Sequence, residues 1–119
     1  MKRVILGLML IVGFGSAELQ AHAFLERADP AVGSTVQASP GEVTVLFTEK
    51  IEQALSSVQV FDASGKEVDR HDVHLDRSNH AMLHVSLSPL QAGSYKVVWR
   101  VVSVDTHVTN GSFSFRVVR

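Results

Sequence analysis

The chain has 119 residues, with 11 Lys+Arg, 12 Asp+Glu, six histidines and a formal net charge of −1 at pH 7. It has no basic run, which excludes nucleic acid as an expected partner, because phosphate binding needs a clustered cationic face. It also has no cysteine. Disulfide scaffolds, zinc knuckles and blue-copper centres are therefore excluded, since each needs cysteine sulfur.

Residues 1–21 are predicted to be a removable signal peptide. Lys2 and Arg3 form its charged start, residues 4–14 its apolar segment, and a small, polar stretch ending in Ala21 its exit. The apolar segment is too short to span a bilayer comfortably, so no membrane insertion is expected after cleavage. Residues 22–119 are enough for one small domain.

The position of the cut decides whether His22 begins the mature protein. A cut after Ala21 leaves the α-amine and the imidazole Nδ1 of His22 free to chelate one metal ion. In the precursor the same nitrogen is an amide, which is no ligand at neutral pH. Cuts after Ala17 and Ala23 fit the small-x-small pattern, whereas the cut after Ala21 has the tolerated but larger Leu19 three residues before the bond. The pattern therefore leaves three positions open.

After residue 22 the pattern predicts short strands joined by turns. The expected strands, in chain order, are Val43–Phe47, a segment with Val58 and Val60, the alternation Ala81, Leu83, Val85 and Leu87, a long strand over 95–104, and the alternation Phe113, Phe115 and Val117. Turn signals stand at residues 62–65, at Ser88-Pro89 and at Asn110-Gly111, and residues 49–55 allow one short helical turn. From the near-regular spacing of the turns, six or seven short strands are expected in all, which predicts an all-β sandwich or Greek-key barrel.

Asp105-Thr106-His107 is predicted to end the long strand. Residues two apart in an extended chain project to the same side, so a carboxylate and an imidazole can converge on one ion there. Together with the amine and imidazole of His22 they would form a set of three nitrogens and one oxygen. Tetragonal nitrogen and oxygen coordination suits Cu(II), which has the highest affinity among the divalent first-row metals.

The other histidines are weaker candidates. His80, Met82 and His84 alternate on one strand face, where a secondary copper site or an ordinary solvated face are both open interpretations, and the solvated face is favoured. His71 and His74 lie in a charged hairpin region and are weaker still as ligands. Trp99 is assigned to the core.

Several segments resemble the CopC family of periplasmic copper-binding proteins. The main one is GSYKVVWRVVSVDTH at residues 93–107, which continues into NGSFSF at 110–115. Residues 22–25 and 29–34 resemble the mature start of the family, and residues 47–49 resemble its aromatic, hydroxyl and Glu segment. The resemblance covers essentially all of residues 22–119.

The resemblance implies a small Cu(II) carrier with a Greek-key β-barrel of the cupredoxin-like kind. His22 would supply an amine and an imidazole, Asp105 and His107 would supply the other protein ligands, and Glu49 would be an outer group near the metal. The family begins at His, which favours cleavage after Ala21 and a periplasmic location. Its members commonly act beside an inner-membrane copper transport protein.

Two positions depart from the family pattern. Some members carry a methionine-rich loop that binds Cu(I), whereas residues 49–66 contain no methionine, so that site is expected to be absent. Val108 stands where the family often has proline.

The predicted function is therefore periplasmic Cu(II) binding by a copper carrier or buffer in copper homeostasis or resistance, and not an enzymatic activity. Two alternatives stay open. One is a small copper oxidase with a histidine brace, which the scarcity of aromatic residues disfavours. The other is a metal-free immunoglobulin-like structural module, in which His22, Asp105 and His107 would be coincidental.

Overall fold

The computed structural model describes residues 23–119, so the predicted signal peptide, its cleavage site and His22 lie outside the described residues. The strands are β1 (Leu25–Asp29), β2 (Thr35–Val36), β3 (Glu42–Phe47), β4 (Ser57–Asp62), β5 (His74–Leu75), β6 (Met82–Ser86), β7 (Gly93–Val102) and β8 (Val108–Val117). A 3-10 helix at Gln53–Leu55 confirms the short helical turn predicted within residues 49–55.

The strands form two four-stranded sheets that pack face to face. One has the order β1-β3-β6-β5 and the other the order β2-β8-β7-β4. All neighbours are antiparallel except β2 and β8, which are parallel. Neighbours in each sheet are often distant in sequence, as in a Greek key. The predicted all-β Greek-key sandwich is confirmed.

The core lies between the two sheets and follows the alternation of the strands. On β7, Tyr95, Val97 and Trp99 are buried while Lys96 between them is exposed. Successive strand residues point to opposite faces, so this alternation gives each sheet one apolar face to bury. Trp99 packs edge to face on Phe47 of the opposite sheet, with ring centroids 5.1 Å apart. Its assignment to the core is confirmed.

The turn predicted at Asn110-Gly111 is wrong. Both residues lie inside β8, where Gly111 pairs with Trp99 of β7. A Cβ atom on Gly111 would stand 2.6 Å from Cζ2 of Trp99. Glycine is therefore required here because the indole lies against the backbone, which is a second reason for glycine in a strand besides a turn.

The turn predicted at residues 62–65 is confirmed. The side chain of Asp62 accepts hydrogen bonds from the backbone N–H groups of Ser64 and Lys66, both at 2.9 Å. The chain then returns, and Glu67 bridges to Phe61. Within residues 23–119, no helix is long and apolar enough to cross a membrane.

Candidate metal centre

The N-terminal segment is attached to both sheets at one end of the sandwich. Phe24 and Thr48 exchange two hydrogen bonds of 2.9 Å, one through the hydroxyl of Thr48 and one through its backbone N–H. The hydroxyl of Thr109 donates to the carbonyl of Ala23 at 2.7 Å. Ala23 itself is fully buried. The chain is therefore held in place from residue 23 onward.

The segment after β3 connects this region to the end of β7. The N–H of Val104 donates to the carbonyl of Lys50 at 3.0 Å, and Ile51 bridges to Ser103. Glu49 is half-buried and lies between Lys50 and the Thr48 that bonds to Phe24. Glu49 thus belongs to the same end of the sandwich as Asp105 and His107.

Asp105 and His107 lie in the turn between β7 and β8. The N–H of Thr106 donates to the carbonyl of Ser103 at 2.8 Å, and the N–H of Ser103 donates to the carbonyl of His107 at 2.9 Å. Thr106 has a φ of 71°, in the left-handed region that β-branched residues rarely adopt. Nδ1 of His107 comes to 3.4 Å from Oδ1 of Asp105. The two side chains do converge, through a turn and not through the extended strand that was predicted.

Ser103 links the side chain of Asp105 to the backbone of His107. It is completely buried. Its hydroxyl donates a hydrogen bond to Oδ1 of Asp105 and accepts one of 3.3 Å from the backbone N–H of His107. The Ser103 bond is the main cause that lowers the pKa of Asp105 below its usual 3.8, and the His107 side chain adds to the effect. Sequence reasoning did not assign this role to Ser103, although its position two residues before Asp105 was a usable signal.

The arrangement of these two donors suits a metal ion. Ligand bonds of about 2.1 Å place donor atoms on one ion about 3.0 Å apart at a right angle and about 3.4 Å apart in a tetrahedron. The 3.4 Å between Nδ1 of His107 and Oδ1 of Asp105 falls at the upper end of this range. Both side chains are roughly half-exposed, at 43% and 52%. The pair supplies two ligands, so further donors are needed to hold an ion.

The face with His80, Met82 and His84 is not one set of ligands. His80 lies in the turn that precedes β6, and only Met82 and His84 are strand residues. His84 is enclosed: its Nδ1 lies 2.9 Å from the hydroxyl of Thr44, and its Nε2 lies 2.8 Å from Oδ1 of Asp76. The interpretation as a solvated face holds for His80, which is exposed. It does not hold for His84, because both of its ring nitrogens lie within hydrogen-bond distance of other side chains.

A second group of metal-ligating side chains was missed by sequence reasoning. Glu67, Asp69 and His71 place one donor atom each within 4.8 Å of one another. Among residues 23–119 they are the one group of three or more His, Cys, Asp or Glu side chains with that spacing. The alternation Glu-x-Asp-x-His was the signal that could have identified them, because alternate residues of an extended segment share a face. From the sequence, His71 was expected to be among the weakest of the candidate ligands.

Comparison with known proteins assigns the chain to a family. The CopC domain model matches residues 25–118. The chain is 33% identical over 98 residues to Protein YobA of Escherichia coli K12, covering 82% of this chain and 79% of that protein. It is 32% identical over 108 residues to Copper resistance protein C of Pseudomonas syringae pv. tomato, covering 86% and 85%.

Solved structures agree with this assignment. CopC from Methylosinus trichosporium OB3b superposes with a TM-score of 0.77 at 34% identity, over 82% of this chain and 94% of that one. PcoC from Escherichia coli, described as a methionine-rich copper resistance protein, superposes with a TM-score of 0.72 at 28% identity, over 81% and 98%. Beyond residue 9 the present chain has a single methionine, Met82. The family model, the relatives and the fold together establish that this chain belongs to the CopC family.

Proposed function

We propose that the protein is an exported Cu(II) carrier or buffer that acts in copper resistance or homeostasis. The proposed ligands are the α-amine and imidazole of His22, the carboxylate of Asp105 and the imidazole of His107. The observation that supports this most directly is the position of Ala23. Its carbonyl is bonded to Thr109, only two residues from His107.

Because Ala23 is held in place, His22 needs to span only a short distance to the turn that carries Asp105 and His107. Consecutive Cα atoms are about 3.8 Å apart, so residue 22 begins one residue away from a backbone carbonyl held against β8. The N-terminal chelate would then form beside the turn that carries Asp105 and His107. A short, attached segment also lowers the entropy lost when the ligands are ordered around the ion.

The chemistry of the set favours Cu(II). Three nitrogens and one carboxylate oxygen match the ligand preference of Cu(II), and copper heads the affinity order of divalent first-row metals. The lowered pKa of Asp105 keeps that carboxylate deprotonated and able to bind. Amine and imidazole donors must also lose their protons, so copper affinity is expected to fall in acid.

The same features support export and binding in preference to catalysis. A metal site that needs a free amine at His22 forms only after signal cleavage, which agrees with a periplasmic location. Asp105 as a direct ligand would occupy a position that oxygen chemistry needs open. The protein has one tryptophan and one tyrosine, and both are buried, so they offer no aromatic surface for a polymer substrate. An inner-membrane copper transport protein as partner stays a prediction from the family.

The decisive experiment is a Cu(II) competition titration with EPR on protein whose first residue is verified by mass as His22. The matched control carries one additional alanine before His22, which converts the amine to an amide and leaves every side chain in place. The proposal expects one tight, nitrogen-rich site in the parent and an affinity lower by orders of magnitude in the extended chain. Equal affinities would overturn the site assignment and favour the metal-free structural module.

An activity assay with a reductant and oxygen distinguishes the carrier from the remaining alternative, a copper oxidase. A copper oxidase with a histidine brace would turn over repeatedly once loaded with copper. The carrier is expected to bind one equivalent of Cu(II) and to show no turnover above that of the His107→Ala variant.

A further inference from the structure

We propose that Glu67, Asp69 and His71 form a second binding site, for a divalent first-row metal ion of the zinc class. The site uses none of the proposed Cu(II) ligands and does not need a free N-terminus. It lies where the chain leaves the turn after β4 and runs back along that strand.

All three donor atoms lie within 4.8 Å of one another, and the imidazole already stands at ligand spacing from both carboxylates. Nδ1 of His71 is 3.4 Å from Oε2 of Glu67 and 3.6 Å from Oδ2 of Asp69. Tetrahedral bonds of about 2.1 Å require donors about 3.4 Å apart. His71 is 72% exposed, so its imidazole has room to adjust toward an ion.

The backbone holds the two carboxylates on one side. Glu67 is bridged to Phe61 and Asp69 to Leu87, so this segment is extended and its alternate side chains share a face. His71 then joins them through a left-handed turn, with a φ of 59°. Its backbone N–H donates to Oδ2 of Asp69 at 3.3 Å, which brings the imidazole back over the carboxylates.

Asp69 has a structural role that leaves one oxygen available. Its side chain is only 1% exposed, and its Oδ1 accepts the backbone N–H of Val60 at 2.8 Å. That bond accounts for the burial of Asp69. It leaves the other oxygen, Oδ2, which faces His71 and has a second lone pair to offer.

Charge supports an ion at this position. In the part of the chain that the structure describes, every ion pair within 4.0 Å involves a histidine, and none involves lysine or arginine. Of the basic side chains that the structure describes, only the imidazole of His71 lies within 4.0 Å of the Glu67 and Asp69 carboxylates, and Oε2 of Glu67 also accepts a hydrogen bond of 3.3 Å from Nε2 of Gln59. A buried carboxylate is costly unless it is paired or coordinates a metal, and a divalent ion would neutralise both carboxylates at once.

The chemistry of the donors selects the class of ion. Calcium and magnesium prefer oxygen ligands alone, whereas an imidazole with two carboxylates suits zinc and its neighbours. The methionine sulfur that selects Cu(I) is absent. The three donors line a groove of about 410 Å³ together with Ser57, Gln59 and Val73, which has room for water as the remaining ligand.

The test is a Zn(II) titration followed by amide NMR on the chain that carries the additional alanine before His22 and the His107→Ala substitution. This background removes the proposed copper site, so failure of one proposal is distinguishable from failure of the other. Zn(II) is expected to shift the amide signals of Val60, Arg70 and His71. The variants Glu67→Gln and His71→Asn should each weaken Zn(II) binding by at least tenfold, and asparagine tolerates the left-handed backbone at residue 71.

His74→Asn is the matched control, because His74 is another exposed histidine of the same segment and lies outside the group. It should leave Zn(II) affinity unchanged. Unchanged affinity in both Glu67→Gln and His71→Asn would overturn the proposal, as would amide shifts confined to residues away from 60–73. Asp69 is left intact in these variants because it supports the backbone of Val60.

Discussion

The hydroxyl of Thr109 donates a hydrogen bond of 2.7 Å to the carbonyl of Ala23, across 86 positions of the sequence. Thr109 lies on β8 two residues after His107, and Ala23 is the first residue that the structure describes. This one contact brings the N-terminal end of the described chain to the turn with Asp105 and His107. This contact is the main support for the proposal that the copper ligands come from both ends of the sequence.

Thr109→Val is expected to remove this hydrogen bond while keeping the shape of the side chain. The free energy of unfolding should fall by about 0.5–1.5 kcal/mol, the net contribution of a typical hydrogen bond. Cu(II) affinity should fall by up to about tenfold, because part of the binding free energy is then used to order the N-terminal segment. Urea denaturation and copper competition measure the two effects. Thr109→Ser keeps the hydroxyl and should behave like the parent; a loss as large in Thr109→Ser would show that the bond is not the cause.

Ser103→Ala is expected to disturb the site without replacing Asp105 or His107. The N–H of His107 loses its acceptor in a buried place, which costs about 1–3 kcal/mol of stability. The pKa of Asp105 should rise toward 3.8, since the Ser103 hydroxyl is the main cause of its depression. Carboxyl NMR titration follows this pKa directly. Ser112→Ala, an exposed serine on β8, serves as the control, and an unchanged Asp105 titration in Ser103→Ala would contradict the role given to Ser103.

Gly111→Ala is expected to destabilise the sandwich by about 1–3 kcal/mol, the usual cost of overpacking a well-packed site. The added Cβ would meet Cζ2 of Trp99 at 2.6 Å, and the indole is held in place by Phe47. Denaturation followed by circular dichroism measures the change. In a double-mutant cycle with Trp99→Phe, the smaller ring should absorb much of the clash. Strictly additive losses would mean that the clash is not with the indole.

Asp76 is expected to make the stability depend on pH in the acid range. Its hydrogen bond to His84, and next its bond to Ser78, lower the pKa of Asp76 from 3.8 to about 2. The carboxylate therefore stabilises the fold fully above pH 3.8, and this contribution is lost as the pH falls through 2. Asp76→Asn should flatten the dependence of unfolding free energy on pH between about 4 and 2.

His84→Asn tests the cause of that shift. Without the imidazole donor, the pKa of Asp76 should move back toward 3.8 in a carboxyl NMR titration, with Ser78 supplying the depression that is left. A pKa of Asp76 that stays near 2 in His84→Asn would assign the effect to Ser78 alone.

Five of the eight strands that the structure describes (β3, β4, β6, β7 and β8), the fold class and the family were predictable from the sequence, whereas β1, β2 and β5 were not predicted. Period-two alternation on β6, β7 and β8 depends only on which residues avoid water, so it can be recognised without knowing what each strand packs against. The family assignment followed because the run from Trp99 to His107 combines core positions and polar positions in an unusual order. The roles of His22, Asp105 and His107 as copper ligands stay predictions.

Which distant residues meet could not be predicted from the sequence. Asn110-Gly111 has the composition of a turn, and its place inside β8 depends on Trp99 of the neighbouring strand, which local sequence does not specify. Ser103 bonds to Asp105 and His107 because the turn after β7 folds back on it. Ala23 is held beside that turn because its carbonyl accepts a hydrogen bond from the distant Thr109. Such contacts arise from chain packing over long sequence separations, whereas periodicity reports only the local choice between buried and exposed.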